Sequence, residues 1–84
     1  MKKEQKSALR SCKTKLETVG KTIEGLRVIV ENTAADIHND AYGLGKAEPE
    51  EEITPLHRAG ETLLRILDEL EEVKSYITES MEAG

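Results

Sequence analysis

The sequence predicts an all-α fold in which two long helices form an antiparallel hairpin. In both halves of the chain, apolar residues recur at alternating spacings of three and four, as on one face of a helix, and a segment containing glycine and proline separates the halves. No segment alternates apolar and polar residues as a half-buried strand does. Because 84 residues bury only a small core, we expect one domain, residues 1–84, that assembles into a four-helix bundle or a higher oligomer.

Helix 1 is predicted over about residues 4–42. Its apolar positions form one continuous seam, which is typical of coiled-coil packing. The seam comprises Leu9, Cys12, Leu16, Val19, Ile23, Leu26, Val30, Thr33 and Ile37. Gly43 is expected at the left-handed position that caps the helix. Gly20 and Gly25 each disfavour a helix interior by about 1 kcal/mol relative to alanine, so a break near Gly20, giving a three-helix bundle, is the alternative architecture.

Residues 43–53 are predicted to form an acidic connector, since they contain two glycines, a proline and four glutamates. Helix 2 is predicted over about residues 54–82, because the Thr54 hydroxyl can cap a helix and Pro55 suits its first position. Its seam comprises Leu56, Gly60, Leu63, Leu67, Leu70, Ile77 and Met81, interrupted by Lys74.

The predicted helices differ in length. Folding back at the middle of the connector places Gly60 opposite Ala35 and Asp36. Helix 1 would be roughly 58 Å long and helix 2 roughly 43 Å, at 1.5 Å per residue. Residues 1–13 are therefore expected to project beyond helix 2 as a basic arm. Because this arm still carries seam residues, we expect it to pack against a second chain.

Charge is divided along the chain. Residues 1–27 hold eight Lys or Arg and three Glu, whereas residues 28–84 hold four Lys or Arg and fourteen acidic residues. A basic stripe on helix 1 can gather phosphate groups; it comprises Lys3, Lys6, Arg10, Lys13, Lys21 and Arg27. The favoured interpretation is pairing with the acidic half of the chain, because lysines at the start of one helix and Glu79 and Glu82 at the end of the other offset each other's unfavourable helix-dipole interactions.

Candidate metal ligands are few. His57 and Glu61 lie four residues apart on helix 2, and the fold-back places His38 near them. No zinc-binding signature accompanies these three residues, so the sequence predicts no metal site and no cofactor. We also predict no catalytic activity, because a two-helix hairpin offers no deep pocket in which a pKa would be perturbed.

The chain carries more apolar side chains than one hairpin can bury, and we expect them to form the interface of a homo-oligomer. They are Leu9, Cys12, Val28, Ile29, Leu64, Ile66 and Val73. A single cysteine forms no intrachain disulfide, and no apolar run is long enough to cross a membrane, so we expect a cytoplasmic protein without membrane contact. Two tyrosines, with no Trp or Phe, offer little for base stacking.

Together these features predict a non-catalytic interaction, adaptor or inhibitor protein that acts through homo-oligomerisation and contacts with a protein partner. The alternative is an anion-binding module whose basic stripe sequesters a nucleic acid or a nucleotide signal. In overall build, the predicted hairpin resembles small helical accessory proteins of phages and bacteria, including phage proteins that sequester cyclic oligonucleotide signals in helical oligomers. This resemblance is architectural, bears only on the anion-binding alternative and implies no role for individual residues.

Overall fold

The computed structural model describes residues 1–84 as two α-helices, α1 over Lys3–Gly43 and α2 over Glu50–Ala83. The helices pack against each other as a hairpin 64 Å long and 15 and 13 Å across. The predicted all-α hairpin is confirmed. Residues 44–49 join the helices at one end of the hairpin, which we call the connector end, and the chain termini lie at the other, the open end.

Helix α1 is continuous through Gly20 and Gly25, so the alternative three-helix bundle is wrong. A straight helix of 41 residues is about 61 Å long, which matches the length of the hairpin. A Cβ atom added at Gly20 would lie 4.0 Å from Leu67 Cδ2 on α2, so the helices are in close contact at the predicted break. Packing against α2 on both sides of the glycines outweighs their low helix propensity.

The turn after α1 is a Schellman motif at Gly45, two residues beyond the predicted cap at Gly43. Gly45 has a φ of 68°, the left-handed conformation that glycine adopts without steric cost. Its N–H donates to the Tyr42 carbonyl at 3.0 Å, and the Lys46 N–H donates to the Ala41 carbonyl at 2.9 Å. Gly43 remains inside the helix, and the chain reverses direction within six residues.

Helix α2 begins at Glu50 rather than at Thr54, so the predicted connector over residues 43–53 is too long. Ile53 provides the reason, because the additional helical turn leaves its side chain only 3% exposed. The glutamates of this turn also suit the positive end of the helix dipole. As a result, Pro55 lies inside the helix and not at its first position.

We expect the Pro55→Ala variant to be more stable than the wild-type protein by about 1–2 kcal/mol. An interior proline lacks the N–H that would bond to the Glu51 carbonyl and costs up to about 3 kcal/mol, while its restriction of the unfolded chain returns about 0.4–1 kcal/mol. Urea unfolding followed by circular dichroism measures the difference. Pro49→Ala, just before the helix, is the control and should give no gain. A Pro55→Ala variant no more stable than wild type would place the helix start at Thr54.

The two helices end together at the open end. Gly84 lies beside Met1, and the Lys13 Nζ donates to the Thr78 Oγ1 at 2.6 Å. The prediction of a projecting arm at residues 1–13 is therefore wrong. The cause is the early start of α2, which gives this helix 34 residues and draws its end level with the start of α1.

The same early start shifts the pairing register. Gly60 faces Glu31, whose Cγ would lie 3.6 Å from an added Cβ, and not Ala35 and Asp36 as predicted. The small residue at position 60 still lets the two backbones approach closely, since Gly60 is one of only three buried residues in the chain.

The α1 residues that face α2 have the predicted spacing of three and four residues. Only one of their two lines, however, consists of the predicted residues. One line is as predicted: Leu9, Leu16, Ile23, Val30 and Ile37 are at least partly buried. The second line lies one residue later than predicted and consists of Lys13, Gly20, Arg27, Ala34 and Ala41. The residues predicted for that line, Cys12, Val19, Leu26 and Thr33, are exposed. On α2 the predicted seam is confirmed; Ile53 extends it, and Lys74 fills the position at which an interruption was expected.

The interior of the hairpin is thin. Ala34, Ile53 and Gly60 are the only buried residues, and Ile53 has the only large side chain among them. The remaining seam residues are half-buried, because two helices cover each other on one side only. A single hairpin thus leaves much of its apolar surface in contact with water.

Candidate functional site

The hairpin has two long edges of different chemistry, one on each side of the line where the helices meet. Each helix contributes two lines of residues to the seam, and in an antiparallel pair the outer neighbours of these lines form two edges. The residues immediately before the Lys13 line of α1 and the Leu67 line of α2 share one edge. The residues immediately after the Leu16 line of α1 and the Leu70 line of α2 share the opposite edge. We call the first the apolar edge; it consists of Cys12, Val19, Leu26, Ile66 and Val73, together with Ile29 and Tyr76, which border these residues on the outer side. We call the second the charged edge; it is centred on Glu17, Glu24, Glu31 and Glu71.

Arg27 organises the middle of the charged edge. Its Nε donates to the Glu24 Oε2 at 3.0 Å, its Nη2 also bonds Glu24, and its Nη1 donates to the Glu31 Oε1 at 2.8 Å. The hydrogen bonds from Arg27 lower the pKa of Glu24 below its ordinary value of 4.5, and those to Glu24 and Glu31 raise the pKa of Arg27. Both partners are therefore charged throughout the neutral range.

Toward the open end, the charged edge widens into an open groove of about 510 Å³. Its lining is entirely polar: Lys13, Glu17, Glu71, Lys74, Ser75, Thr78, Glu79 and Glu82. Lys74 pairs with Glu71 at 2.7 Å, and Lys13 binds the Thr78 hydroxyl. Four carboxylates against two ammonium groups make this groove a poor site for an anion.

The apolar edge carries none of the ion pairs of the structure. Leu26 is 48% exposed, and Ile29 and Tyr76 are each more than 60% exposed. At its open end a shallow groove of about 310 Å³ is lined by Ala8, Ser11, Cys12, Lys15, Leu16 and Val19. Apolar side chains at this exposure are typical of a surface that another molecule covers.

The predicted interface residues lie at three places. Leu9 faces α2 within the hairpin. Cys12, Ile29, Ile66 and Val73 lie on the apolar edge, whereas Val28 and Leu64 form a smaller apolar spot on the charged edge. The predicted interface residues therefore lie on different sides of the hairpin, and one flat contact surface does not cover all of them.

The candidate metal ligands are not brought together. The His38 Nδ1 lies 2.9 Å from the Glu48 Oε1, in a contact that ties the end of α1 to the connector. His57 and Glu61 are exposed on α2 without a side-chain partner. No group of three or more His, Cys, Asp or Glu side chains is arranged to hold a metal ion.

The basic stripe is divided between two environments. Lys13 and Arg27 are seam residues whose charged groups bond within the hairpin. Lys3, Lys6, Arg10 and Lys21 form no ion pair. Sequence reasoning did not identify Lys74 and Thr78 as the neighbours of Lys13. The available signal was that Lys74 interrupts an otherwise apolar seam, which marks a charged group beside a helix contact.

No protein-family model, no curated protein and no solved structure matches this chain. Neither helix contains an apolar stretch long enough to cross a membrane.

Proposed function

We propose that this protein is a non-catalytic helical interaction protein, an adaptor or an inhibitor, that acts as a homo-oligomer and contacts a protein partner. The observation that carries the proposal is the surplus of exposed surface over what a chain of this size needs. Its location is proposed to be the cytoplasm, where a single free cysteine such as Cys12 stays reduced.

The size of the surplus can be estimated. A compact monomer of 9.3 kDa exposes about 5,000 Å², whereas the hairpin exposes 6381 Å². The difference, about 1,400 Å² per chain, exceeds the roughly 800 Å² that each partner buries in a stable protein–protein contact. A second chain therefore supplies the burial that this hairpin lacks.

Non-catalytic action is supported by the nature of the grooves. No polar or charged residue is buried, and the largest groove is open and lined by polar groups that are at most half-buried. Catalytic acids, bases and nucleophiles are typically partly desolvated so that their pKa values suit the reaction. The lowered pKa of Glu24 and the raised pKa of Arg27 arise chiefly from the hydrogen bonds between them, which is typical of a structural ion pair.

The anion-binding alternative receives less support. Two of its six basic residues, Lys13 and Arg27, are engaged within the hairpin. The four that form no ion pair lie on a helix whose neighbour carries six acidic residues after position 67. A polyanion would meet that negative field at the open end.

Light scattering coupled to size-exclusion chromatography tests the proposal. At micromolar concentration the protein should elute with at least twice the chain mass of 9.3 kDa. Titration of a labelled single-stranded oligonucleotide at physiological salt is the companion measurement and should show no binding. A stably folded monomer, or an oligomer that binds the oligonucleotide at micromolar concentration through Lys6 and Arg10, would overturn the proposal.

A further inference from the structure

We propose that the apolar edge is the self-association site, covered by the apolar edge of a second copy so that two hairpins form a four-helix bundle. This inference rests on the proposed function, which requires self-association, and adds the surface and the occupant. Of the two edges, only this one lacks ion pairs and presents several apolar residues from each helix.

The placement of its apolar residues suits the apolar edge to contact with a second copy of itself. Its apolar residues lie in the middle of α1, from Val19 to Ile29, and on α2 they run from the middle toward the open end, from Ile66 to Tyr76. A two-fold axis that crosses the edge near Leu26 therefore lays the apolar segment of α1 on the same segment of the second copy, which is the self-complementary arrangement that a symmetric dimer requires. The second pair of helices covers the side of α1 and α2 that the first contact leaves in water.

Two charges of α1 that border the apolar edge are also complementary to a second copy. Lys15 lies toward the open end and Asp36 toward the connector end, at nearly equal distances from Leu26. A two-fold axis that crosses the edge near Leu26 therefore places Lys15 of one copy near Asp36 of the other, which favours a second copy as the occupant. On α2 the bordering position holds Glu69, whereas Arg58 and Glu72 lie on the face of α2 that points away from α1.

The charged edge is not complementary in charge to a second copy of itself. Glutamates at positions 17, 24 and 31 of α1 and position 71 of α2 give it one predominant sign, and Arg27 and Lys74 are already paired with glutamates of their own chain. Two copies of this edge laid together would repel each other. The small apolar spot of Val28 and Leu64 lies beside this negative surface.

Cys12 reports directly on the proposed contact, because its exposed thiol lies on the apolar edge. We expect its rate of alkylation by iodoacetamide to be that of a free cysteine in dilute, dissociated protein and at least tenfold lower at concentrations where the mass is that of a dimer. A matched control is the Cys12→Ser/Thr14→Cys double variant, since Thr14 is exposed two residues along the same helix on the charged-edge side. Its thiol should react at one rate at all concentrations.

The outcomes separate the inference from the proposed function. Protection of Cys12 together with a reactive thiol at position 14 supports the apolar edge as the contact. A dimer whose Cys12 reacts at the free rate would overturn the inference and leave self-association in place. A folded protein that stays monomeric at all concentrations would overturn both.

Discussion

Replacement of Leu26 by glutamate is expected to convert the assembled protein into monomers at micromolar concentration. Leu26 lies in the middle of the apolar edge and is 48% exposed in the single hairpin, so the substitution leaves the hairpin itself largely intact. In a symmetric dimer the charge is introduced twice, and burying an unpaired carboxylate costs several kcal/mol. A cost of about 3 kcal/mol raises the dissociation constant more than 100-fold.

The chain offers a matched control for this experiment. Leu64 is 49% exposed, lies on the other edge and accepts the same substitution. Sedimentation equilibrium should show wild-type association for Leu64→Glu and dissociation for Leu26→Glu, with circular dichroism confirming that both remain helical. Equal dissociation of the two variants, or dissociation of Leu64→Glu alone, would exclude the apolar edge as the main contact.

Truncation of Ile53 to alanine is expected to lower the free energy of unfolding by about 2–4 kcal/mol, the usual cost of removing a buried isoleucine side chain. Ile53 is the only large side chain that the hairpin buries almost completely. Since a small domain has only about 5–15 kcal/mol of stability in total, this single change should remove a substantial fraction of it. Urea unfolding at a fixed protein concentration measures the loss.

Leu44→Ala is the control for Ile53→Ala. Leu44 lies at the same end of the hairpin but is 70% exposed, so its truncation should change the free energy of unfolding by no more than about 0.5 kcal/mol. If both truncations cost the same, the buried turn at the start of α2 does not anchor the connector end.

Much of this fold follows from spacing alone. The seam of α2 and one line of α1 were predicted correctly, because strongly apolar residues at seven-residue intervals leave little choice of face. The second line of α1 was predicted at Cys12, Val19 and Leu26 because these residues are apolar. The positions one residue later lie about equally close to the first line on the helix surface. Packing against α2 decides between the two candidate lines, and the hydrophobicity of α1 alone does not show the result.

The ends of the helices were harder to predict than their faces. Thr54 and Pro55 form a good local start signal, and Gly43 a good local end signal. Burial of Ile53 and the Schellman turn at Gly45 prevailed over these signals, since tertiary contacts outweigh capping preferences of about 1 kcal/mol. Because the connector sets the register, this error also displaced the predicted partners of Gly60 and produced an arm that does not exist.

The candidate site was predictable only in part for the same reason. The sequence shows that apolar residues exceed the capacity of one hairpin, and Cys12, Ile29, Ile66 and Val73 were recognised as surplus. The division of the surplus into two edges depends on which face of α1 meets α2, so Val28 and Leu64 were grouped with residues from the opposite side. The roles of Lys13 and Arg27 as seam residues depend on the same choice.

The Gly45 turn has a consequence for the order in which the hairpin forms. The His38–Glu48 contact closes a loop between residues 10 apart, whereas the Lys13–Thr78 bond joins residues 65 apart. Making the longer loop first would cost roughly 1.7 kcal/mol more in chain entropy. Pairing should therefore start at the turn and advance one layer at a time, and the terminal layers should form last and be the first to fray.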